Sequence, residues 1–237
     1  MSFIYEERAS DSPYIETVTR GWTESSGATV RPSEVHWHMV FTRVSGCMIP
    51  IFVGPLTTAG IVSYGEGAEI LWIKFSLGSF LPHLPPREFL DTETILPEAT
   101  SRSFWLKGSA WQFPDFDNAE TFVDRLVRDE ILAHDPLVDA TLLGHTPVVA
   151  SRTVRHRFLR ATGLTQDHIY QAERAQRAEA LLQRGASILD TVYEAGFYDQ
   201  PHMTRALKQY TGHTPGQIVQ MNAANEPSVV NMPAGEI

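Results

Sequence analysis

Residues 187–210, SILDTVYEAGFYDQPHMTRALKQY, contain two short helical patterns separated by a glycine. Ser187 can cap the first helix, and Gly196 ends it, because glycine is the preferred residue just past a helix C-terminus. Asp199 can cap the second helix, and Pro201 is tolerated in its first turn, where backbone N–H groups have no intrahelical partner. The stretch therefore predicts a helix-turn-helix, the motif that places its second helix in the major groove of DNA.

The second of these helices, residues 200–210, has one apolar and one polar face. Met203, Leu207 and Tyr210 form its predicted buried stripe. Gln and Arg side chains can make paired hydrogen bonds with base edges, and His, Thr and Lys suit base edges or phosphates. An ordinary surface helix of an enzyme is the alternative interpretation. The predicted DNA-facing side chains of this helix are Gln200, His202, Thr204, Arg205 and Lys208.

Two further helical patterns precede this stretch. Residues 151–162 form the first, and Gly163 supplies its stop. Residues 165–184 form the second, which has an alanine-rich apolar stripe and ends before Gly185. The first pattern carries basic side chains away from its apolar face, namely Arg152, Arg155 and His156.

The region from 151 to 220 resembles the DNA-binding domain of AraC-type transcription regulators. That signature has a Gly-Phe turn, an Asp-capped recognition helix with an Arg and a Lys, and a closing Gly-x-Thr-Pro. SRTVRHRFLRATGLT (151–165) is similar to the first recognition helix of the same family. The residues that match the signature of the second unit are Gly196, Phe197, Asp199, Met203, Arg205, Leu207, Lys208, Gly212, Thr214 and Pro215.

The resemblance implies two helix-turn-helix units joined by a stiff linker helix. Residues 165–184 would span about 30 Å at 1.5 Å per residue, close to the ~34 Å turn of B-DNA. On the family pattern, Lys208 and the helix start at Thr214 contact phosphate, the latter through backbone N–H groups. The implied base-reading residues are Gln200, His202, Thr204 and Arg205 in the second unit, and Arg152, Arg155 and His156 in the first.

Two features depart from the family pattern. An Arg usually stands where this chain has His156, and neutral histidine is a weaker partner for phosphate or bases. The segment between Gly144 and Ser151 is short where many relatives have a full scaffold helix. Either residues 136–143 serve as that scaffold, or the first unit is degenerate. A regulator that has lost DNA readout and acts through protein contacts is therefore a further alternative.

The charge distribution agrees with a separate basic module. The net charge is −9, which by itself argues against nucleic acid. Residues 151–213, however, carry nine Lys or Arg and six Asp or Glu, whereas the rest of the chain carries ten and twenty-two. This asymmetry favours a basic module attached to an acidic one, although an accident of solvated surface is the alternative.

The N-terminal part is predicted to consist of β-strands. Together with the helical C-terminal part, this predicts an α+β fold. Alternating or β-branched runs occupy 34–44, 48–55 and 69–77, and glycine and proline separate them as in a sandwich or small barrel. We predict a β-rich sensor or dimerisation domain at 1–114 and connecting helices at 115–150. The helix-turn-helix domain follows at 151–220, and a small polar tail at 221–237 is predicted to be disordered.

The N-terminal part weakly resembles the cupin-like half of AraC-type proteins. His36 and His38 alternate onto one face of a predicted strand, as cupin metal ligands do. No Asp or Glu lies between His38 and Gly65, and His83 in a proline-rich bend is the one later candidate. We therefore predict no metal and no cofactor. The alternative function is a cupin-like metalloenzyme with a helical appendage, which stoichiometric metal on these histidines would favour.

The remaining sequence features bear on ligands, chemistry and location. Trp37, Trp72, Phe75 and Trp105 are predicted to line an apolar ligand pocket, with plain core packing as the alternative. No nucleophile elbow or phosphate-binding loop occurs, so we predict no enzyme. The resemblance implies double-stranded DNA, RNA polymerase, a small-molecule effector and a second copy of the chain as partners. A single cysteine and the lack of a leader or membrane span predict the cytoplasm.

Overall fold

The computed structural model describes residues 3–145 and 149–225. It confirms the α+β prediction, with a strand-rich N-terminal part and a helical C-terminal part. The strands are Phe3–Ala9 (β1), Ile15–Thr23 (β2), Gly27–Arg31 (β3), His38–Val44 (β4), Cys47–Val53 (β5), Gly60–Tyr64 (β6), Glu69–Phe75 (β7), Ser79–Phe80 (β8), Glu93–Ile95 (β9), Glu98–Thr100 (β10), Ser103–Leu106 (β11), Ser109–Gln112 (β12) and Ala133–His134 (β13). The α-helices are Ala119–Arg128 (α1), Pro136–Leu142 (α2), Ser151–Thr162 (α3), Gln166–Gln183 (α4), Ile188–Glu194 (α5), Gln200–Tyr210 (α6) and Pro215–Asn225 (α7).

The largest sheet is antiparallel and six-stranded, in the order β1-β2-β7-β4-β5-β9. Because side chains alternate along a strand, each strand serves both faces of this sheet. Met39 and Phe41 of β4 point into the main hydrophobic core, together with side chains from β11, β12 and α1. His38 and Val40 of the same strand point to the opposite face, where the β3–β6 ribbon begins.

A second hydrophobic cluster joins the strand-rich part to the helical part. It contains most of the buried side chains of α3, α4 and α6, and also Val35, Phe80 and Val138. The two parts therefore share a core, and burial of this apolar surface fixes their mutual arrangement. Among the described residues, no helix is long and apolar enough to cross a bilayer.

Two glycines allow the helical part to approach the strands closely. Gly163 ends α3 with a left-handed φ of +75°, and a Cβ there would lie 2.9 Å from the backbone nitrogen of Arg87. Gly212 follows α6 with φ of +83°, and a Cβ there would lie 2.5 Å from Val30 Cγ1. A side chain at either position would meet both backbone strain and a clash.

The structure corrects two sequence-based boundaries. The predicted strand at 34–44 begins only at His38, because Glu34 instead forms an isolated bridge with Leu56. The predicted disordered tail at 221–237 begins too early, because α7 continues to Asn225 with Ile218 buried in the shared core. Residues 226–237 of that prediction lie outside the described residues.

Candidate nucleic-acid interface

The second helix-turn-helix unit consists of α5, a glycine turn and α6. Ser187 caps α5 by accepting a hydrogen bond from the Asp190 N–H at 3.1 Å. Asp199 caps α6 by accepting from the His202 N–H at 2.7 Å. Gly196 takes φ of +71° between them, and Phe197 is buried against the helices. The local signals read from the sequence therefore form the turn as expected.

Helix α6 has a buried face that anchors it and an open face that it presents. Met203, Ala206, Leu207 and Tyr210 are buried. On the other side, Gln200, Arg205 and Lys208 are exposed and Thr204 is half-buried, with its hydroxyl donating to the Gln200 carbonyl at 2.9 Å. Four of the five predicted DNA-facing side chains therefore lie together along one surface.

His202 is the exception, because its ring is turned toward α4. Its Nε2 lies 3.3 Å from Arg174 Nη2, and the ring meets Phe197 edge-on at 5.3 Å between centroids. This side chain is packed, whereas we had predicted it to face bases directly. The sequence analysis did not single out Arg174. Its position was a usable signal, because residues four apart share a helix face and Ala178 lies on the buried face of α4.

Helix α3 presents the basic residues of the first unit. Arg152, Arg155 and His156 are all exposed, as a DNA-facing surface requires. Phe158 anchors the opposite face, with 3% of its surface exposed. Arg157 pairs with Asp135 at the start of α2, with Nη2 2.5 Å from Oδ1. Helix α2 packs against α3, and residues 146–148 between them lie outside the described residues.

Helix α4 joins the two units. It contains eighteen residues, with the Thr165 hydroxyl accepting the His168 N–H at 3.1 Å at its start and Arg184 at its C-terminal end. The linker helix predicted over 165–184 is therefore present, with those two residues as its caps. Its buried stripe contacts α6, α7 and α5 and consists of Ile169, Ala172, Arg174, Ala175, Ala178 and Leu182.

Comparison with known proteins identifies this helical region. A helix-turn-helix family model matches residues 148–221. These residues form an AraC-type helix-turn-helix domain. The match supports a DNA-binding transcription regulator. No curated protein sequence matches the chain.

The chain is similar, at a low level, to solved structures of ToxT from Vibrio cholerae. One, bound to (E)-4-(8-methylnaphthalen-1-yl)but-3-enoic acid, has a TM-score of 0.39 and 11% identity and covers 94% of this chain and 100% of ToxT. A second crystal form has a TM-score of 0.37 and 10% identity and covers 93% and 99%. The family assignment rests on the helix-turn-helix match.

The start of α7 in the AraC-type domain is closed by its own side chains. Thr214 accepts the Gln217 N–H at 3.4 Å, and the Gln217 side chain accepts the Thr214 N–H at 2.8 Å. This reciprocal cap satisfies two of the donors at the helix start. The predicted contact of this helix start with phosphate uses its backbone N–H groups, and two of them, those of Thr214 and Gln217, already have acceptors.

A charged cluster lies beside His38 in the strand-rich part. His36 lies before β4, and its ring bridges Glu16 at 2.6 Å and Glu34 at 2.7 Å. Burial alone would lower the pKa of His36, but the hydrogen bonds to both carboxylates raise it. Burial opposes ionisation of Glu34, yet the hydrogen bond from His36 and the nearby charge of Lys74 hold its pKa well below the usual range.

This cluster does not have the arrangement of a metal centre. Both ring nitrogens of His36 are hydrogen-bonded to carboxylates. His83 is exposed at a separate bend. Within residues 3–145 and 149–225, no group of three or more His, Cys, Asp or Glu side chains is placed to hold a metal ion.

The four aromatic residues predicted to line a pocket lie in three different environments. Trp37 and Phe75 stack at 3.8 Å inside the main core, where Trp37 Nε1 donates to the Ser79 carbonyl. Trp105 is 45% exposed. Trp72 alone of the four lines a cavity on the other face of the sheet, because alternation along β7 separates it from Phe75.

Proposed function

We propose that this regulator reads DNA in the major groove with α3 and α6. The observation that carries the proposal is the polar face of α6, where exposed Gln200 and Arg205 stand over buried Met203 and Leu207. A helix anchored by apolar residues with donors pointing outward suits insertion in a groove. Gln200, Thr204 and Arg205 contact base edges, and Lys208 contacts phosphate.

The first unit would contribute Arg152, Arg155 and His156. The eighteen residues of α4 span about 27 Å, and the helix with its two caps spans about 30 Å. This length is close to the ~34 Å repeat of the duplex. A stiff helix of this length supports two recognition helices that enter successive turns of the major groove on one side of the duplex. RNA polymerase and a second copy of the chain remain predicted partners, and the cytoplasm remains the predicted location.

Selection of bound sequences from a random duplex pool tests the proposal directly. The experiment should use the full chain at a fixed salt concentration, because phosphate contacts make affinity strongly salt-dependent. A recovered consensus with two half-sites would show that both units read bases. A pool that stays random after repeated rounds would contradict sequence-specific reading.

Arg205→Ala and Lys208→Ala should weaken DNA binding in different ways. We expect Arg205→Ala to reduce the preference for the selected duplex over a random one by about 1–3 kcal/mol, because a paired contact with a base is lost. Lys208→Ala should weaken both duplexes similarly and lower the salt dependence. Titrations at several salt concentrations measure both effects. Equal losses on the two duplexes for Arg205→Ala would show that the base-reading face is wrongly assigned.

We also propose that a small molecule controls the AraC-type domain from the strand-rich part. A cavity of about 190 Å³ has an apolar wall of Val40, Val53, Leu56 and Trp72, and its other lining side chains include polar Ser33 and His38 and charged Arg31 and Glu34. For comparison, an engineered apolar cavity of about 150 Å³ binds benzene. Ser33 Oγ is buried without a hydrogen-bond partner in the described residues. These features suit a compact ligand that carries polar groups on one side.

The wall of this cavity is tied to the recognition helix. The Ser33 N–H donates to the carbonyl of Tyr210, the last residue of α6, at 2.7 Å. The Ala59 N–H donates to the Gln209 carbonyl at the same distance. A ligand that displaces residues 31–34 would therefore act on α6 through the hydrogen bond between Ser33 and Tyr210. This link supports an effector role for the cavity.

Filling the cavity should abolish the response to such a ligand. Val40→Phe places a ring in the space that Val40 lines while leaving α6 intact. In a panel of small alcohols, amines and carboxylates of about ten heavy atoms, we expect a compound that raises the melting temperature of the wild-type protein and changes its DNA affinity. Binding at 100 times the Kd would add about 2.7 kcal/mol to the free energy of unfolding. The same compound acting equally on Val40→Phe would contradict this site.

A further inference from the structure

Arg174 in the middle of α4 is a buried cation whose hydrogen bonds go to neutral groups. Only 8% of the residue is exposed. Its Nη2 donates to Gln171 Oε1 at 2.5 Å, and its Nη1 donates to the Gly196 carbonyl at 3.3 Å. The guanidinium also lies 4.2 Å from the centroid of the Phe197 ring. Burial of an ionised group is unfavourable unless it is paired, so this geometry calls for a reason beyond packing.

The same guanidinium reaches the first turn of the recognition helix. Arg174 Nη2 lies 3.3 Å from His202 Nε2. A guanidinium has donors only, so Nε2 is the acceptor in this contact. The backbone N–H of His202 is meanwhile bound by Asp199. The first turn of α6 is thus fixed on one side by its cap and on the other by Arg174.

We propose that Arg174 is a positioning residue that fixes the turn and the start of α6 against the linker helix. The inference rests on the proposed function, because the side chains that Arg174 would orient are the proposed base-reading residues Gln200, Thr204 and Arg205. One side chain touches the turn through Gly196 and Phe197 and the helix through His202.

DNA titrations of the full chain test the positioning role. The probes are the duplex recovered by selection and a random duplex of the same length. We expect Arg174→Met to lower affinity for the selected duplex at least about tenfold and for the random duplex less than threefold. Arg174→Lys should not rescue, because lysine lacks the planar fork. The control, Arg184→Met, removes an exposed charge at the C-terminal end of the same helix and should change neither ratio. Equal losses on both duplexes for Arg174→Met, or rescue by Arg174→Lys, would each overturn the proposal.

A measurement without DNA keeps the two proposals distinguishable. Amide hydrogen exchange should show that protection of residues 197–205 falls more than that of α3 when Arg174→Met is compared with the wild-type protein. This result, with no sequence preference in the selection, would leave Arg174 as the positioning residue and overturn the proposed DNA reading. Unchanged protection of residues 197–205 in Arg174→Met would overturn the inference whatever the DNA result.

Discussion

Phe158→Ala is expected to lower the free energy of unfolding by about 3–5 kcal/mol. Phe158 is 3% exposed and belongs to the hydrophobic cluster that the strand-rich and helical parts share. The deletion removes the transfer free energy of the ring and leaves a cavity between α3 and its neighbours, which are themselves fixed by other contacts. Chemical denaturation followed by circular dichroism measures the change.

The matched control is Leu143→Ala, because Leu143 is an apolar residue that is 71% exposed just after α2. We expect a change within about 0.5 kcal/mol for this variant. Phe158→Ala should also weaken binding to the selected duplex, because α3 carries Arg152 and Arg155 of the first unit. A loss of stability below about 1 kcal/mol would show that Phe158 is not part of a packed core.

The helical part was predictable because its signals are local. The predicted caps Thr165, Ser187 and Asp199 each accept the backbone N–H three residues on. The stops Gly163 and Gly185 each take a left-handed φ where a helix ends. Capping and glycine conformation depend on neighbours within one turn, so a single sequence contains the information that fixes these boundaries.

The strand-rich part was harder because its partners are distant in sequence. Residues 34–37 continue the alternation that predicts a strand, but Glu34 pairs with Leu56 and its carboxylate is held by His36 and Lys74. Trp37 and Trp72 look equivalent as aromatic residues in strand patterns. The layer that packs on each face of the sheet decides that Trp37 enters the core and Trp72 lines the cavity. Alternation predicts two faces without saying what covers each one.

The candidate site shows the same division between local and distant information. The spacing of α6 correctly separated Met203 and Leu207 from Gln200 and Arg205. It could not show that His202, between the two faces, would meet a guanidinium 28 residues earlier in the chain. Helical periodicity assigns a residue to a face, but a side chain at the edge of that face is oriented by its tertiary contacts.

The buried imidazole of His38 should make the protein lose stability in acid. Burial lowers the pKa of His38 to about 4, whereas an unfolded chain has histidine near 6.5. Below pH 6.5 the unfolded state therefore binds a proton that the folded state does not bind, so the free energy of unfolding falls as the pH falls. The loss should reach about 2 kcal/mol at pH 5 relative to pH 7.5. Denaturation of the wild-type protein and His38→Asn at both pH values measures the difference.

His36 opposes this effect, because its raised pKa gives stability that is present below pH 6.5 and lost as the pH rises through the folded value. Comparison with His38→Asn cancels the contribution of His36, and exposed His145→Asn serves as the control that should behave as the wild type does. If wild type and His38→Asn instead lose stability in parallel, His38 is protonated in the folded state. The cavity would then carry a positive charge beside Ser33, and a ligand with a carboxylate would become the better fit.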